Sequence, residues 1–512
     1  MKINQLKAGS ILSYLQMALG VVVGLICTPI TLRLLGQSEY GLYNTVSSTI
    51  SILVVLSLGF NSSYIRYYAK YKVNNDQESI FRLNGLFLTI FGVLGLIVFA
   101  CGLFLSFNLE LVFSHGLTTE EYRIAKTLMI LLTINLSVYF PMSVFANIIS
   151  AHEKYVFLKL LAMMKTVATP ILTLVLLSMG YRSIAMVTVT LLISFITDVA
   201  YFIYVVFVLK NKFIFKTVEK GLFRDLLIFT SFLAINMIVD QVNGNMGKIL
   251  LGRYNGTKVV AVYSIGYSLY QYYMMFSTSI SGVFSPRIHK IINTTQECVD
   301  KQRMQLTELF TRVGRLQFLI LALVATGIIF FGKPFIAIWA GEGYDNSYAV
   351  AVLLTLASSI HLMQNLGIEV QRALNKHKFR SIIYTIMAFI NLLLSIFLCP
   401  IYGAIGAAIG TAASFVFANG LVMNMYYHKN CNIDILFFWK HIGKLSKGLI
   451  IPVLAGSIGN LFMDFGKPMH MILGIAVYAF IYFGSMWLFG MNQYEKNLLI
   501  QPIAKVLKRI QK

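Results

Sequence analysis

Apolar runs of roughly twenty residues alternate with short polar stretches along the whole chain. A run of that length is what an α-helix needs to cross about 30 Å of hydrocarbon. The pattern predicts fourteen spans, at 9–32, 42–64, 83–106, 124–147, 156–178, 184–209, 226–251, 259–284, 314–332, 347–370, 380–399, 404–426, 446–463 and 470–489. The intervening segments are short, the longest being 285–313, where Glu297–Arg312 reads as an amphipathic surface helix. None reaches the ~50 residues that an independent catalytic domain takes. The expected class is an all-α polytopic membrane protein.

One predicted span breaks the apolar rule. The seventh carries Asn236, Asp240, Gln241, Asn243, Asn245 and Lys248. At 100° per residue, Asn236, Asp240, Asn243 and Gly247 fall on one side of a helix. A charge facing hydrocarbon costs roughly 3 kcal/mol or more, so that side faces either a water-filled cavity or neighbouring helices that it joins by hydrogen bonds.

Composition agrees with the pattern: 57% of the 512 residues are hydrophobic and 12% charged. The net charge of +22 would suggest nucleic acid in a soluble chain, but its distribution argues otherwise. With the N-terminus inside, the inner segments hold 32 of the 42 Lys and Arg, the bias that fixes membrane orientation. Both termini are expected in the cytoplasm. No cleavable signal is expected, because Met1–Ser10 is short and polar. Cys27, Cys101, Cys298, Cys399 and Cys431 stand alone, without metal or redox spacing.

The halves match weakly. Leu34-Leu35-Gly36 closes the first span and Leu250-Leu251-Gly252 the seventh; Tyr43 precedes Arg66 by 23 residues, and Tyr263 precedes Arg287 by 24. Two six-helix lobes are therefore expected, 1–209 and 226–426, joined by a linker at 210–225 and followed by two helices at 446–489 and a basic tail at 490–512. Paired repeats are a transporter architecture. Pro29, Pro141, Pro170, Pro452, Gly406 and Gly410 lie inside spans, where neighbouring helices can satisfy a kinked backbone.

Charged and polar side chains inside spans are the candidate site. Besides Asp240, Asn243 and Lys248, they are Lys165 in the fifth span, Asp198 in the sixth, and Arg66 and Arg253 at span ends. The tenth span carries His361, Asn365, Glu369 and Arg372 on one face if it is one helix. Each has a plainer reading. Lys165 and Asp198 can pair with each other, as can Glu369 and Arg372. Arg66 can be an inner anchor, and Lys248 can snorkel outward. No phosphate-binding loop, nucleophile elbow or zinc-protease signature is present.

Lys7–Gly36 followed by Glu39-Tyr40-Gly41, Leu251-Gly252 through Tyr263, Ser285-Pro286, Arg372-Ala-Leu-Asn375-Lys-His-Lys378 and Pro400-Ile-Tyr-Gly403-Ala-Ile-Gly406 together resemble the bacterial polysaccharide biosynthesis proteins of the oligosaccharide flippase type. Their superfamily also holds the MATE exporters and the lipid II flippase. The resemblance implies two six-helix lobes in an inverted V with two further helices. It also implies alternating access that moves an undecaprenyl-diphosphate-linked glycan outward.

The expected partners are that lipid-linked oligosaccharide, membrane lipids and other polysaccharide-assembly proteins, with no nucleic acid. No cofactor is expected. The drive is an H⁺ or Na⁺ gradient or the membrane potential. A diphosphate in a partly dry cavity needs cationic donors, for which Lys248, Arg253, Arg66 and Lys165 are the candidates, with Asp240 and Asn243 beside them. Glu369, His361, Asn365 and Asp198 are the candidates for coupling or gating. The rival readings are a cation-coupled MATE-type drug exporter, an integral-membrane glycan polymerase or acyltransferase, and a membrane scaffold that transports nothing.

Overall fold

The computed structural model describes residues 4–57, 59–113, 117–215, 220–281, 284–295, 298–374, 376–498 and 500. In chain order the helices are α1 (Gln5–Ile52), α2 (Phe60–Val73), α3 (Gln77–Phe107), α4 (Thr119–Ala151), α5 (Tyr155–Ser178), α6 (Ser183–Ile203), α7 (Lys220–Tyr254), α8 (Thr257–Ser281), α9 (Ser285–Thr294), α10 (Val299–Ala340), α11 (Asp345–Met363), α12 (Leu366–Ala373), α13 (His377–Phe415), α14 (Asn424–Asn430), α15 (Ile435–Ser446), α16 (Ile450–Phe462) and α17 (Pro468–Ser485). No strand occurs among the described residues.

Among the described residues, eleven helices are long and apolar enough to cross a membrane. The chain is a multi-pass membrane protein, but the count of fourteen is not established. The expected spans 380–399 and 404–426 lie within the run Lys378–Asn430, where two helices meet at a kink at Gly403 (φ 54°, ψ −131°). The expected spans 226–251 and 259–284 are the helices α7 and α8, which are not among the eleven.

The first two expected spans are two apolar helices, Ala8–Leu35 and Gln37–Ser57, which meet within α1 at a kink at Gly36, whose φ of 77° suits a residue without Cβ. Two local expectations change. Gly252, by contrast, is an ordinary buried helical residue, and the break after α7 falls at Gly256 (φ 83°). The Leu-Leu-Gly triplets therefore do different work in the two halves. Of the segment read as a surface helix, 297–312, residues 299–312 are instead the first part of α10, which runs unbroken for 42 residues, and residue 297 lies outside the described residues. At 1.5 Å per residue that is roughly 60 Å, about twice the hydrocarbon thickness. Nothing between Arg312 and the span breaks the helix, and Gln302, Leu306, Leu309, Phe310 and Val313 bury one side of the extension.

By packing, the chain divides into two compact units, Met1–Ser264 with Ala388–Ala407, and Ile265–Met387 with Ala408–Lys512. In the first unit, α7 packs on α1 and α2 rather than starting a separate body at 226. Small residues allow it. A Cβ on Gly252 of α7 would lie 2.6 Å from Thr45 Cγ2 of α1, and, where α8 begins, one on Gly41 would lie 1.8 Å from the Thr257 carbonyl oxygen. Close backbone approach of this kind is how helices associate where no hydrophobic effect drives them. An aromatic core of Phe60, Tyr64, Phe87, Phe91 and Phe140 fills α2–α4. The start of the expected linker is pinned to it: Ile214 N–H donates to the Phe81 carbonyl at 3.0 Å, and Asn84 Nδ2 donates to the Lys212 carbonyl at 3.2 Å. Linker residues 216–219 lie outside the described residues.

In the second unit, Tyr273, Ile288, Leu306, Phe310, Leu366, Tyr427 and Phe438 form one core. Phe330, Phe331, Phe465, Tyr478 and Tyr482 form another that seats α17 on α10. Tyr482 OH donates to the Leu319 carbonyl at 2.7 Å. Most of the basic tail, 501–512, lies outside the described residues.

Candidate functional site

Helix α7 delivers the polar stripe. Asp240 lies well inside the 35-residue helix and is exposed, while Asn243, Asn245 and Lys248 are half-buried. Part of the stripe joins helices. Asn391 Nδ2 on α13 donates to Asn243 Oδ1 at 2.8 Å, Ser395 Oγ donates to Asn391 Oδ1 at 3.2 Å, and Gln241 accepts from Asn245 Nδ2 at 2.6 Å. Asn243 therefore serves packing, whereas Asp240 holds its charge on the accessible side of the helix.

Arg253, exposed at the far end of α7, donates to the Leu111 carbonyl at 2.8 Å. Beside it sits a polar cluster that the sequence reading missed. Glu39 is only 7% exposed and accepts from Ser183 N–H at 2.8 Å and Ser183 Oγ at 2.6 Å, with Arg182 Nε 3.4 Å away. Ser38 donates to Glu121, and its hydroxyl lies 2.7 Å from that of Thr257. Glu121 and Thr118 form a reciprocal cap at the start of α4. The starts of α4, α6 and α8 meet here beside the Gly36 kink of α1, and the Thr118-x-x-Glu121 spacing is the signal in the sequence that marks one of them.

Lys165 on α5 is half-buried, and Asp198 on α6 is 9% exposed. They attract each other electrostatically without forming a direct ion pair, and Tyr139 and Tyr201 lie within range of the same carboxylate. Arg66 is exposed on α2, a helix separated from α1 by Gly59 (φ 74°) rather than the continuation of the second span.

The tenth-span face is broken. His361 ends α11, whereas Glu369 and Arg372 belong to α12. Between them, the Gln364 N–H bonds to the His361 carbonyl at 3.2 Å and the Gly367 N–H to the Gln364 carbonyl at 2.8 Å. These three-residue turns interrupt the four-residue ladder on which a shared face depends. Asn365 Nδ2 donates to Ser281 Oγ at 3.1 Å, the His361 ring packs on Phe415 with centroids 5.0 Å apart, and Glu369 pairs with Arg372 at 2.7 Å. The structure does not bring these residues together as one site.

An apolar groove of about 310 Å3 lies in the second unit, lined by Leu269, Leu323, Ile328, Phe335, Ile475 and Ala479 among others. Among the described residues no His, Cys, Asp and Glu group could hold a metal.

Known proteins bear on this arrangement in three ways. The family described as polysaccharide biosynthesis protein matches residues 6–292. The probable flippase AglR of Haloferax volcanii is 29% identical over 181 residues, a match spanning about a third of each protein (34% of this chain and 36% of AglR). Among solved structures, the lipid II flippase MurJ in an inward closed conformation has TM-score 0.63 at 17% identity, covering 92% of this chain and 97% of that one. An inward-facing multidrug resistance MATE family transporter of the MOP superfamily has TM-score 0.62 at 14% identity, covering 84% and 96%. At these identities the structures establish the fold alone, which this chain shares with both. The family match covers more than half of the chain, which therefore belongs to the polysaccharide biosynthesis protein family.

Proposed function

We propose that this protein is a flippase, not an enzyme, that moves an undecaprenyl-diphosphate-linked oligosaccharide unit from the cytoplasmic to the outer leaflet by alternating access, for surface polysaccharide assembly. The observation that carries the reading is Asp240, exposed within α7 among Asn and Lys side chains. A carboxylate there is compatible with a membrane when it faces polar side chains, water or a polar cargo and not lipid, and exposure among Asn and Lys side chains fits a cavity wall. The family membership and the likeness to flippases support a lipid-linked cargo. The apolar groove of the second unit is suited to a prenyl tail.

In this reading the termini are cytoplasmic, the membrane is a bacterial inner membrane, and an ion gradient or the membrane potential drives the cycle. Lys248, Arg253, Arg66 and Lys165 include the cations that meet the diphosphate. Arg253 already gives one donor to Leu111, so it also ties down a loop. The fold equally accommodates a MATE-type drug exporter; the polysaccharide family match speaks for the glycan.

The test is glycan export in a strain lacking its own flippase, with Lys248, Arg253, Arg66 and Lys165 replaced singly by Ala and by Arg or Lys at checked abundance. Lost export with Lys248→Ala, partly restored by Lys248→Arg, is the expected result. Full export by all four Ala variants removes these cations from the mechanism. Drug resistance without glycan export selects the MATE reading.

A further inference from the structure

Outside the α7 stripe, a second cationic constellation sits on α9, which follows α8, and on the first turns of α10. A cavity of about 680 Å3 is lined there by Pro286, Arg287 and Lys290 of α9 and by Gln305, Glu308 and Arg312 of α10, among others. All belong to the second compact unit. Three cations therefore face one carboxylate. That carboxylate is spent internally, because Glu308 pairs with Arg312 one turn on. Arg312 is held further by lying over the Tyr494 ring, 4.9 Å from its centroid. Arg287 and Lys290 are exposed, and none of the described hydrogen bonds or ion pairs uses their side chains.

The helix that carries them adds to the imbalance. α9 begins with Pro286 in its first turn, has no acidic residue there, and receives no side-chain cap from Phe284. Its first N–H groups and its positive dipole end are thus accompanied by Arg287 and not by an anion. That arrangement is unfavourable by itself and becomes favourable once an anion is bound. The opposite face of α9 is fixed, with Ile288 and Ile292 buried in the core. The cations are therefore presented by a rigid element, as a preformed anion site requires.

We propose that this pocket binds a phosphoryl group at the membrane surface, such as the phosphate of an anionic lipid headgroup or the diphosphate of a prenyl-linked glycan. Arg287 and Lys290 are the contacting cations, with Arg312 and the α9 N-terminus behind them. Arginine supplies the forked donors that phosphate oxygens accept and lysine a point charge. The cavity lies a few residues from the ends of α8 and of the expected span at 314, and the expected topology would put it at the level of lipid headgroups. The proposal stands on the pocket and does not need the flippase reading.

The experiment uses the full chain in phosphatidylcholine nanodiscs. Native mass spectrometry follows retention of three probes, namely dioleoyl-phosphatidylglycerol, undecaprenyl diphosphate and inorganic pyrophosphate. The double variant Arg287→Gln with Lys290→Gln is compared with a control that removes two exposed lysines elsewhere in the same unit, Lys440→Gln with Lys444→Gln. A surface cation contributes about fivefold to binding an anionic headgroup, so the pocket variant should lose about twenty-fivefold in retention while the control stays near wild type. Phosphatidylglycerol retained in preference identifies bulk anionic lipid as the source. Undecaprenyl diphosphate retained in preference identifies the carrier lipid, and pyrophosphate retained equally well identifies a soluble phosphoryl ligand. Retention of no probe above phosphatidylcholine, or equal losses in the pocket variant and the control, overturns the proposal. Because Arg287 and Lys290 are exposed, both variants should elute as wild type on size exclusion, which keeps a folding defect distinguishable.

Discussion

Arg315 on α10 and Asp240 on α7 are both charges on long helices of a membrane protein, and their surroundings differ completely. Arg315 is 5% exposed and Glu495 2%. Their side chains form a two-pronged ion pair with Arg315 NH2 2.9 Å from Glu495 Oε2. The same guanidinium also donates to the His441 carbonyl at 2.8 Å and the Gly490 carbonyl at 3.2 Å, and Glu495 accepts from the Asn492 N–H at 2.9 Å. Every prong is answered by this chain, and the result fastens the C-terminal segment to α10. Asp240 instead stays exposed on a helix whose neighbouring Asn243 is used in packing. A charge enclosed by complete partners holds a fold together. A charge kept accessible on such a helix is, in the proposed function, a candidate site.

The largest expected effect sharpens that contrast. Arg315→Ala leaves Glu495 buried and uncompensated, a loss of about 3–5 kcal/mol, visible as a large fall in thermal stability in detergent. Arg315→Met combined with Glu495→Leu should recover part of it. Equal instability of the single and double variants would mean that the pair is not what fastens the segment. Asp240→Asn and Asp240→Ala should do the reverse, leaving stability within about 0.5 kcal/mol, as surface substitutions do, while abolishing export. A variant that unfolds would return Asp240 to the packing class.

Smaller effects come from the cluster at the helix starts. Glu121→Gln weakens its bonds to Ser38 and Thr118 and should cost about 1–2 kcal/mol, read as increased labelling of a cysteine placed at Thr257. Unchanged labelling would show that the cluster does not hold these helix starts together. The smallest is a pH effect at His152, between α4 and α5. Burial, together with the nearby Lys72 and Lys154, pushes its pKa below the ordinary 6.5, against a bond to the Ile148 carbonyl that raises it. The folded protein therefore favours neutral His152. Its contribution to stability is complete above pH 6.5 and is lost as pH falls below that value, because the unfolded chain takes up the proton first. His152→Gln should flatten that part of the stability profile.

Periodicity was enough to place most spans. Residues 156–178 were expected and α5 is Tyr155–Ser178; 184–209 were expected and α6 with its last turn ends at Val208. Local pattern carries that information because a helix in lipid must satisfy its own backbone. It does not carry pairings between distant residues. Arg315 and Glu495 are 180 residues apart, and Ser38 and Glu121 are 83. The break between His361 and Glu369 was also hidden, because Gln364 and Asn365 are compatible with a helix in isolation. Asn365 is tied instead to Ser281, 84 residues away. The stripe on α7 was legible because it violates the apolar rule. The sequence reads the cations of α9 as inner positive charge and, for Arg287, as part of the repeat match; their pocket exists only once α9 folds against α10.

The most direct measurement places the purified protein in liposomes with an undecaprenyl-diphosphate-linked oligosaccharide in both leaflets and follows the sugar accessible to an external glycosidase over time. The proposed function predicts that, after rapid removal of the outer pool, the inner pool becomes accessible at a rate proportional to protein, and that Asp240→Asn brings the rate to that of protein-free vesicles. An inner pool that stays protected with wild-type protein, under an imposed H⁺ gradient, Na⁺ gradient or membrane potential, would contradict it.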